Sequence, residues 1–203
     1  MRSSTAGVVL TLGLVVAACS SGPANQAGDG ASRPTTRAPR SGPSQIEFAD
    51  VADEVGLDFR QGAFRWEVTS DPAAMTGTGV CWLDYDGDGW LDLYAVNSHA
   101  EDEIGRWERA GGPPRSALFH NVGGTFVDVS AGSGADLAER GNGCVAADLD
   151  LDGNTDLYVT GAERGALLWN EGDGTFTEGT DDAGAPAIGW YAGAAVGDVD
   201  GDG

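Results

Sequence analysis

The chain has 203 residues, 41% of them hydrophobic, enough for one compact domain and a tail. Its 32 acidic residues stand against 11 basic ones, all arginine, for a net charge of −21. That balance excludes nucleic acid and anionic membrane surfaces as electrostatic partners, because both reward a basic face.

Residues 1–18 read as a signal sequence: Arg2, an apolar run from Gly7 to Val16, then small residues. A membrane-spanning helix needs about 20 apolar residues, so the run is too short to span. Val16-Ala17-Ala18-Cys19 resembles the bacterial lipobox, which implies cleavage before Cys19 and lipidation of that cysteine. The alternative is an ordinary signal peptide with an incidental cysteine. Ser20, rather than aspartate, after Cys19 favours the outer membrane in a Gram-negative cell. Residues 19–44 then form a disordered Ser/Gly/Pro linker with little to bury and a span of roughly 25–30 Å. The expectation is an exported, lipid-anchored protein of the cell envelope or cell surface that meets the membrane only through its anchor.

From Gln45 to Gly203 the sequence repeats itself. A lone half-copy, Ile46-Glu47-Phe48-Ala49-Asp50-Val51, comes first. Next is an apolar strand, Gly79-Val80-Cys81-Trp82-Leu83, an acidic loop from Asp84 to Asp92, and a strand from Leu91 to Val96. The order returns with Gly143 to Ala147, a loop from Asp148 to Asp156, and a strand to Thr160. A third start, Gly193 to Gly197, leads into Asp198-Val199-Asp200-Gly201-Asp202-Gly203. After each complete loop comes a strand, glycine turn and strand: Leu118-Phe119-His120-Asn121-Val122-Gly123-Gly124-Thr125-Phe126, then Leu168-Trp169-Asn170 through Gly172 and Gly174 to Thr175-Phe176.

The unit is therefore four short strands, and Asp148 to Asp198 spans 50 residues. Such units, repeated radially, are β-propeller blades, so the fold class is all-β. The rivals are an open solenoid and a sandwich. Two segments exceed the period: 98–114, read as an inserted surface loop, and 51–75, which includes Phe59, Arg60, Phe64, Arg65 and Trp66. Long loops on a rigid repeat often carry binding, and decoration is the equal alternative.

The DxDxDGxxDL loops and N-x-G-x-G-T-F hairpins resemble FG-GAP/VCBS repeats. The run from Phe48-Ala49-Asp50-Val51 through the first loop to Ser130-Ala131-Gly132 is similar to the cartilage-acidic-protein-like, ASPIC/UnbV-associated group. This resemblance implies an integrin-α-like propeller, usually of seven blades, with the strand at 46–51 completing the last blade. The chain carries only about two full blades, and a closed ring takes at least four. It therefore reads as an N-terminal fragment that would fold poorly alone, with sheet edges left bare.

The loops predict calcium. Calcium takes six to eight oxygens in flexible geometry, and carboxylates on alternate residues of a tight loop supply them. The first set is Asp84, Asp86, Asp88 and Asp92 with the carbonyl of Trp90; the second is Asp148, Asp150, Asp152 and Asp156 with that of Asn154. The third begins with Asp198, Asp200 and Asp202. At the place of an EF-hand's closing glutamate stand Ala95 and Val159, so each loop closes at its ninth position. Carboxylates ~4 Å apart repel by about 4 kcal/mol at an effective dielectric of 20, which argues for a neutralising cation over a water-loving turn. Magnesium fits less well, since it keeps its waters and stricter geometry.

No catalytic signature accompanies the loops: H-E-x-x-H, G-x-S-x-G and the P-loop are absent. His99 lies in the insertion, and His120 shares its slot with Trp169, which favours a structural role. Trp82, Trp169 and Trp190 read as blade-packing residues. Cys81 and Cys144 can oxidise in an export compartment, but Cys81 lies one position beyond the equivalent of Cys144. Their side chains then face opposite sides of their strands, which favours buried free thiols over a disulfide. The expected function is a non-catalytic calcium-binding adhesion module for a protein or glycan ligand. The alternative is a non-catalytic scaffold within an exported enzyme whose active site lies beyond residue 203.

Overall fold

The structure, a computed structural model, describes residues 48–63, 71 and 77–199. The chain divides into two units, Met1–Asp50 and Val51–Gly203. Of the first, residues 48–50 are described, and all three are exposed. The signal sequence, Cys19, the linker, Ile46, Glu47, Phe64, Arg65, Trp66, Asp200 and Asp202 lie outside the described residues.

Among the described residues, eight strands form two four-stranded antiparallel sheets, each a simple meander. The first contains β1 (Val80–Leu83), β2 (Asp92–Ala95), β3 (Ala117–Val122) and β4 (Thr125–Asp128). The second contains β5 (Gly141–Ala147), β6 (Asp156–Gly161), β7 (Ala166–Asn170) and β8 (Phe176–Glu178). Each acidic loop joins the first two strands of its sheet. The β3–β4 turn is the two-residue Gly123-Gly124, with φ of 64° and 96°, the backbone that matches strand twist in a tight hairpin.

Alternation decides the faces. Along β1, Val80 and Trp82 are exposed while Cys81 and Leu83 are buried. The buried set continues through Tyr94, Val96 and Leu118 and meets Leu157, Val159, Leu168 and Phe176 of the second sheet in one core. Each such side chain, fully buried, contributes about 1.5–3 kcal/mol. The opposite face of the first sheet carries Leu93, Ala95, Ala117 and Phe119. It is covered by Leu57 and Phe59, which follow the single turn of α1 (Ala52–Val55). Phe59 meets Phe119 edge to face at 6.4 Å.

The two cysteines are joined, contrary to the expectation of free thiols. Cys81 on β1 and Cys144 on β5 form a disulfide with Cα atoms 6.0 Å apart. The one-residue offset is what joins them. When two copies of a sheet stack, the upper face of one meets the lower face of the next. Equivalent strands therefore meet through opposite faces, and a one-residue offset is what brings the two side chains together.

The same joint is used twice between successive repeats. Gly56 lies against the carbonyl of Phe126, and Gly134 against that of Phe176, so close that a Cβ on either would collide with the oxygen. Both glycines have positive φ, 84° and 79°. Tyr94 then donates its hydroxyl to the carbonyl of Ala135 at 2.8 Å, as Tyr158 does to Ala185 at 2.9 Å.

Three expectations are corrected. Residues 48–51 form no strand, and neither do residues 191–199 of the third copy; just before the latter an isolated bridge pairs Arg164 with Ile188. At Tyr191 the chain is tied to the second sheet by single bonds, its N–H donating to the carbonyl of Gly161 at 3.0 Å and its carbonyl accepting from Asn142 Nδ2 at 2.9 Å, not by a ladder. The insertion at 98–114 is not merely a surface loop. It contains a 3₁₀ turn (Glu101–Glu103) and α2 (Ile104–Arg109), and its first residues, Ser98 and His99, are buried. Trp82 and Trp190 are half-exposed, 54% and 43%, although Trp82 still packs on Phe126 with ring centroids 6.0 Å apart.

Candidate metal centres

Both loops fold by the same rule: each aspartate uses a carboxylate oxygen to hold a backbone N–H of the loop. In the first, the N–H of Gly89 donates to Asp84 Oδ2 at 3.0 Å, that of Asp88 to Asp86 Oδ1 at 3.3 Å, and that of Trp90 to Asp88 Oδ1 at 2.8 Å. In the second, Gly153 donates to Asp148 Oδ2 at 3.0 Å, Asp152 to Asp150 Oδ1 at 3.2 Å, and Asn154 to Asp152 Oδ1 at 2.8 Å. These bonds turn the side chains inward. Oxygens of Asp84, Asp86 and Asp88 lie within 4.8 Å of one another, as do those of Asp148, Asp150 and Asp152.

The ninth residues sit deeper. Asp92 and Asp156 are buried, at 0% and 1% exposure. Each ties its own strand to the loop and to the third strand: Tyr85 and Asn121 donate backbone N–H groups to Asp92 at 3.1 and 2.8 Å, and Leu149 and Asn170 do the same for Asp156 at 2.8 Å each. Burial pushes both carboxyls above the usual carboxylate range, and the two N–H donors partly offset it. In contrast, Asp152 is held below that range by the backbone and side-chain amides of Asn154.

The acidic groups can hold a metal ion, and the donor set fits a hard one. Asp84 Oδ1 is buried without a hydrogen-bond partner, an expensive state for a carboxylate oxygen unless a cation meets it. The ion would supply charge neutralisation and a fixed turn between two strands. Trp90 is exposed and Asn154 half-buried, and Asp198 of the third loop is exposed.

Asn121 and Asn170 were missed as site residues. Besides donating to the buried aspartates, they reach back to the loops: Asn121 Nδ2 to the carbonyl of Leu91 at 2.8 Å, Asn170 Nδ2 to that of Thr155 at 3.0 Å. The signal was present, since each asparagine opens its hairpin at the same place in the repeat. Their turn role hid the second one. His120 also reaches the first loop, with Nδ1 3.2 Å from Asp86 Oδ2 and 3.4 Å from Asp92 Oδ1.

At the other end of the sheets, the insertion borders a cavity of about 350 Å³ lined by His99, Glu101, Ile104, Glu139, Arg140 and Arg164. Arg140 is already engaged there: it grips Asp71 through both carboxylate oxygens at 2.7 Å and donates to the carbonyl of His99 at 3.1 Å. Burial, then Arg140, pushes the His99 imidazole down from its ordinary value.

Residues 148–203 match the FG-GAP-like repeat family. The matched stretch opens at the first aspartate of the second loop and runs through β6, β7 and β8 to the sequence of the third loop. No curated protein matches the chain. An FG-GAP-like repeat is thus present in a mostly β chain of two four-stranded sheets, as the sequence led one to expect.

Proposed function

We propose that the chain belongs to a calcium-stabilised β-propeller that serves as a non-catalytic binding module. The observation that carries this reading is the repeated loop, with three converging aspartates and a fourth buried between strands. One sheet stacked on its copy, with the same joint used twice, supports radial repetition over a sandwich. Calcium would hold each β-turn-β corner rigid through Asp84, Asp86, Asp88 and Asp92, and through Asp148, Asp150, Asp152 and Asp156. Export and anchoring through Cys19, and adhesion to a protein or glycan at the insertion end, complete the proposal, with the ASPIC/UnbV-associated group as the narrower relative.

Calcium titration by calorimetry, with thermal unfolding in calcium and in chelator, tests it. The expected result is binding whose stoichiometry follows the intact loops and a melting point lowered by chelation. Absence of both would leave the aspartates as polar turns and remove the metal from the reading.

A further inference from the structure

The two loops share their carboxylates but differ in what the third strand lays over them. On β3 the residue before Asn121 is His120; on β7 the residue before Asn170 is Trp169. The His120 ring stands edge-on to Tyr85, centroids 5.9 Å apart at 89°. Its Nδ1 is buried and has no hydrogen-bond partner, although it faces Asp86 Oδ2 at 3.2 Å and Asp92 Oδ1 at 3.4 Å. Ligand atoms of the three residues all lie within 4.8 Å of one another.

Those spacings suit a shared ion. Two ligands ~2.1 Å from one metal lie roughly 3.0 Å apart at a right angle and roughly 3.4 Å apart at a tetrahedral angle. The carboxylates are also fixed beforehand. Asp86 Oδ1 is held by the N–H of Asp88, and the two oxygens of Asp92 by Asn121 and Tyr85. Asp86 Oδ2 and the ring nitrogen are left turned toward each other.

We propose that the first loop is a mixed nitrogen–oxygen site that takes a first-row transition-metal ion through His120 Nδ1, Asp86 and Asp92. The second loop, with tryptophan in the histidine's place, remains an all-oxygen site for hard cations. An imidazole ligand raises affinity for cobalt, nickel, copper and zinc far more than for calcium. This inference rests on reading the loops as metal sites, and it adds that the two copies have diverged in which metal they prefer.

The test uses the whole chain, stripped with chelator and titrated separately with Co²⁺ and Ca²⁺. Co²⁺ is read by its visible ligand-field bands and Ca²⁺ by calorimetry. His120→Trp converts the first site to the composition of the second, with His120→Asn as a smaller replacement and circular dichroism as the check of folding. We expect the parent to bind one Co²⁺ with strong visible bands. Either folded His120 variant should bind it at least tenfold more weakly and lose those bands, yet retain calcium. An Asp148→Asn/Asp152→Asn variant, disabled in the second loop, should keep the bands. If the folded His120 variants keep both the Co²⁺ affinity and the bands, this inference is wrong and His120 is only an ion-pair partner, while calcium binding would leave the broader proposal standing. Failure of the parent to bind either ion would overturn both.

Discussion

The first and second acidic loops are built from the same aspartates but are embedded differently. Tyr85, second in the first loop, turns inward, its ring 6.4 Å from Phe176 of the second sheet and nearly parallel to it. Its carbonyl accepts a hydrogen bond from Asn170 Nδ2 at 2.8 Å. The first loop is therefore held by the neighbouring repeat as well as by its own. The second loop instead spends Leu151 on a left-handed backbone, φ 63°, at the place where the first has Gly87, φ 72°. Leu151 is 68% exposed, so no packing compensates that strain. One loop is supported from outside; the other stands on its own turn.

The largest way to break this comparison is to separate the repeats. The Cys81–Cys144 bridge closes a 63-residue span, and loop-closure entropy assigns it about 4 kcal/mol. Cys81→Ser with Cys144→Ser, or reduction of the parent, should lower the urea midpoint accordingly. Next, Asn170→Ala should cost about 1–3 kcal/mol, because it leaves buried carbonyls without their donor. It should also weaken ion binding at the first loop, which lies in the other repeat. Asn121→Ala should weaken only its own loop, and calorimetry on variants with one working loop separates the two outcomes. A smaller effect sharpens the contrast: Leu151→Gly should stabilise by about 1 kcal/mol and Gly87→Leu should destabilise by about 1–2 kcal/mol, both read from denaturant midpoints.

The smallest effect lies at the far end of the sheets. Because the His99 pKa is lowered on folding, the unfolded chain binds more protons as pH falls through the ordinary histidine value, about 6.5. Stability linked to this group is thus complete above that value and declines below it. His99→Asn should flatten the difference in urea midpoint between pH 7 and pH 5.5. An unchanged difference would show that Arg140 and burial do not control this imidazole.

The strands and loops were legible because their signals are local. Alternation along β1, the spacing of Asp84, Asp86 and Asp88, and the paired glycines at 123 and 124 each fix a short backbone path. What escaped depends on how copies meet. The offset of Cys81 from Cys144 looked like an argument against a bridge until the sheets were stacked. Asn170 looked like a turn residue, since its bond to Tyr85 crosses 85 positions of sequence. His120 shares its slot with Trp169, so alignment suggested mere bulk and hid a nitrogen aimed at two carboxylates. The insertion read as a surface loop from its polar composition, yet Ser98 and His99 at its start are buried.

The joints at Gly56 and Gly134 have a consequence for how such a chain can change over generations. Each sets a residue without a side chain against a main-chain carbonyl. Neither half of the contact depends on which side chains surround it. A gene encoding this joint can duplicate, lose or exchange copies without inventing a new seam. Selection is then free to specialise individual copies, as the pairs His120 and Trp169 or Tyr85 and Leu149 already differ, while the seam between them stays common to all.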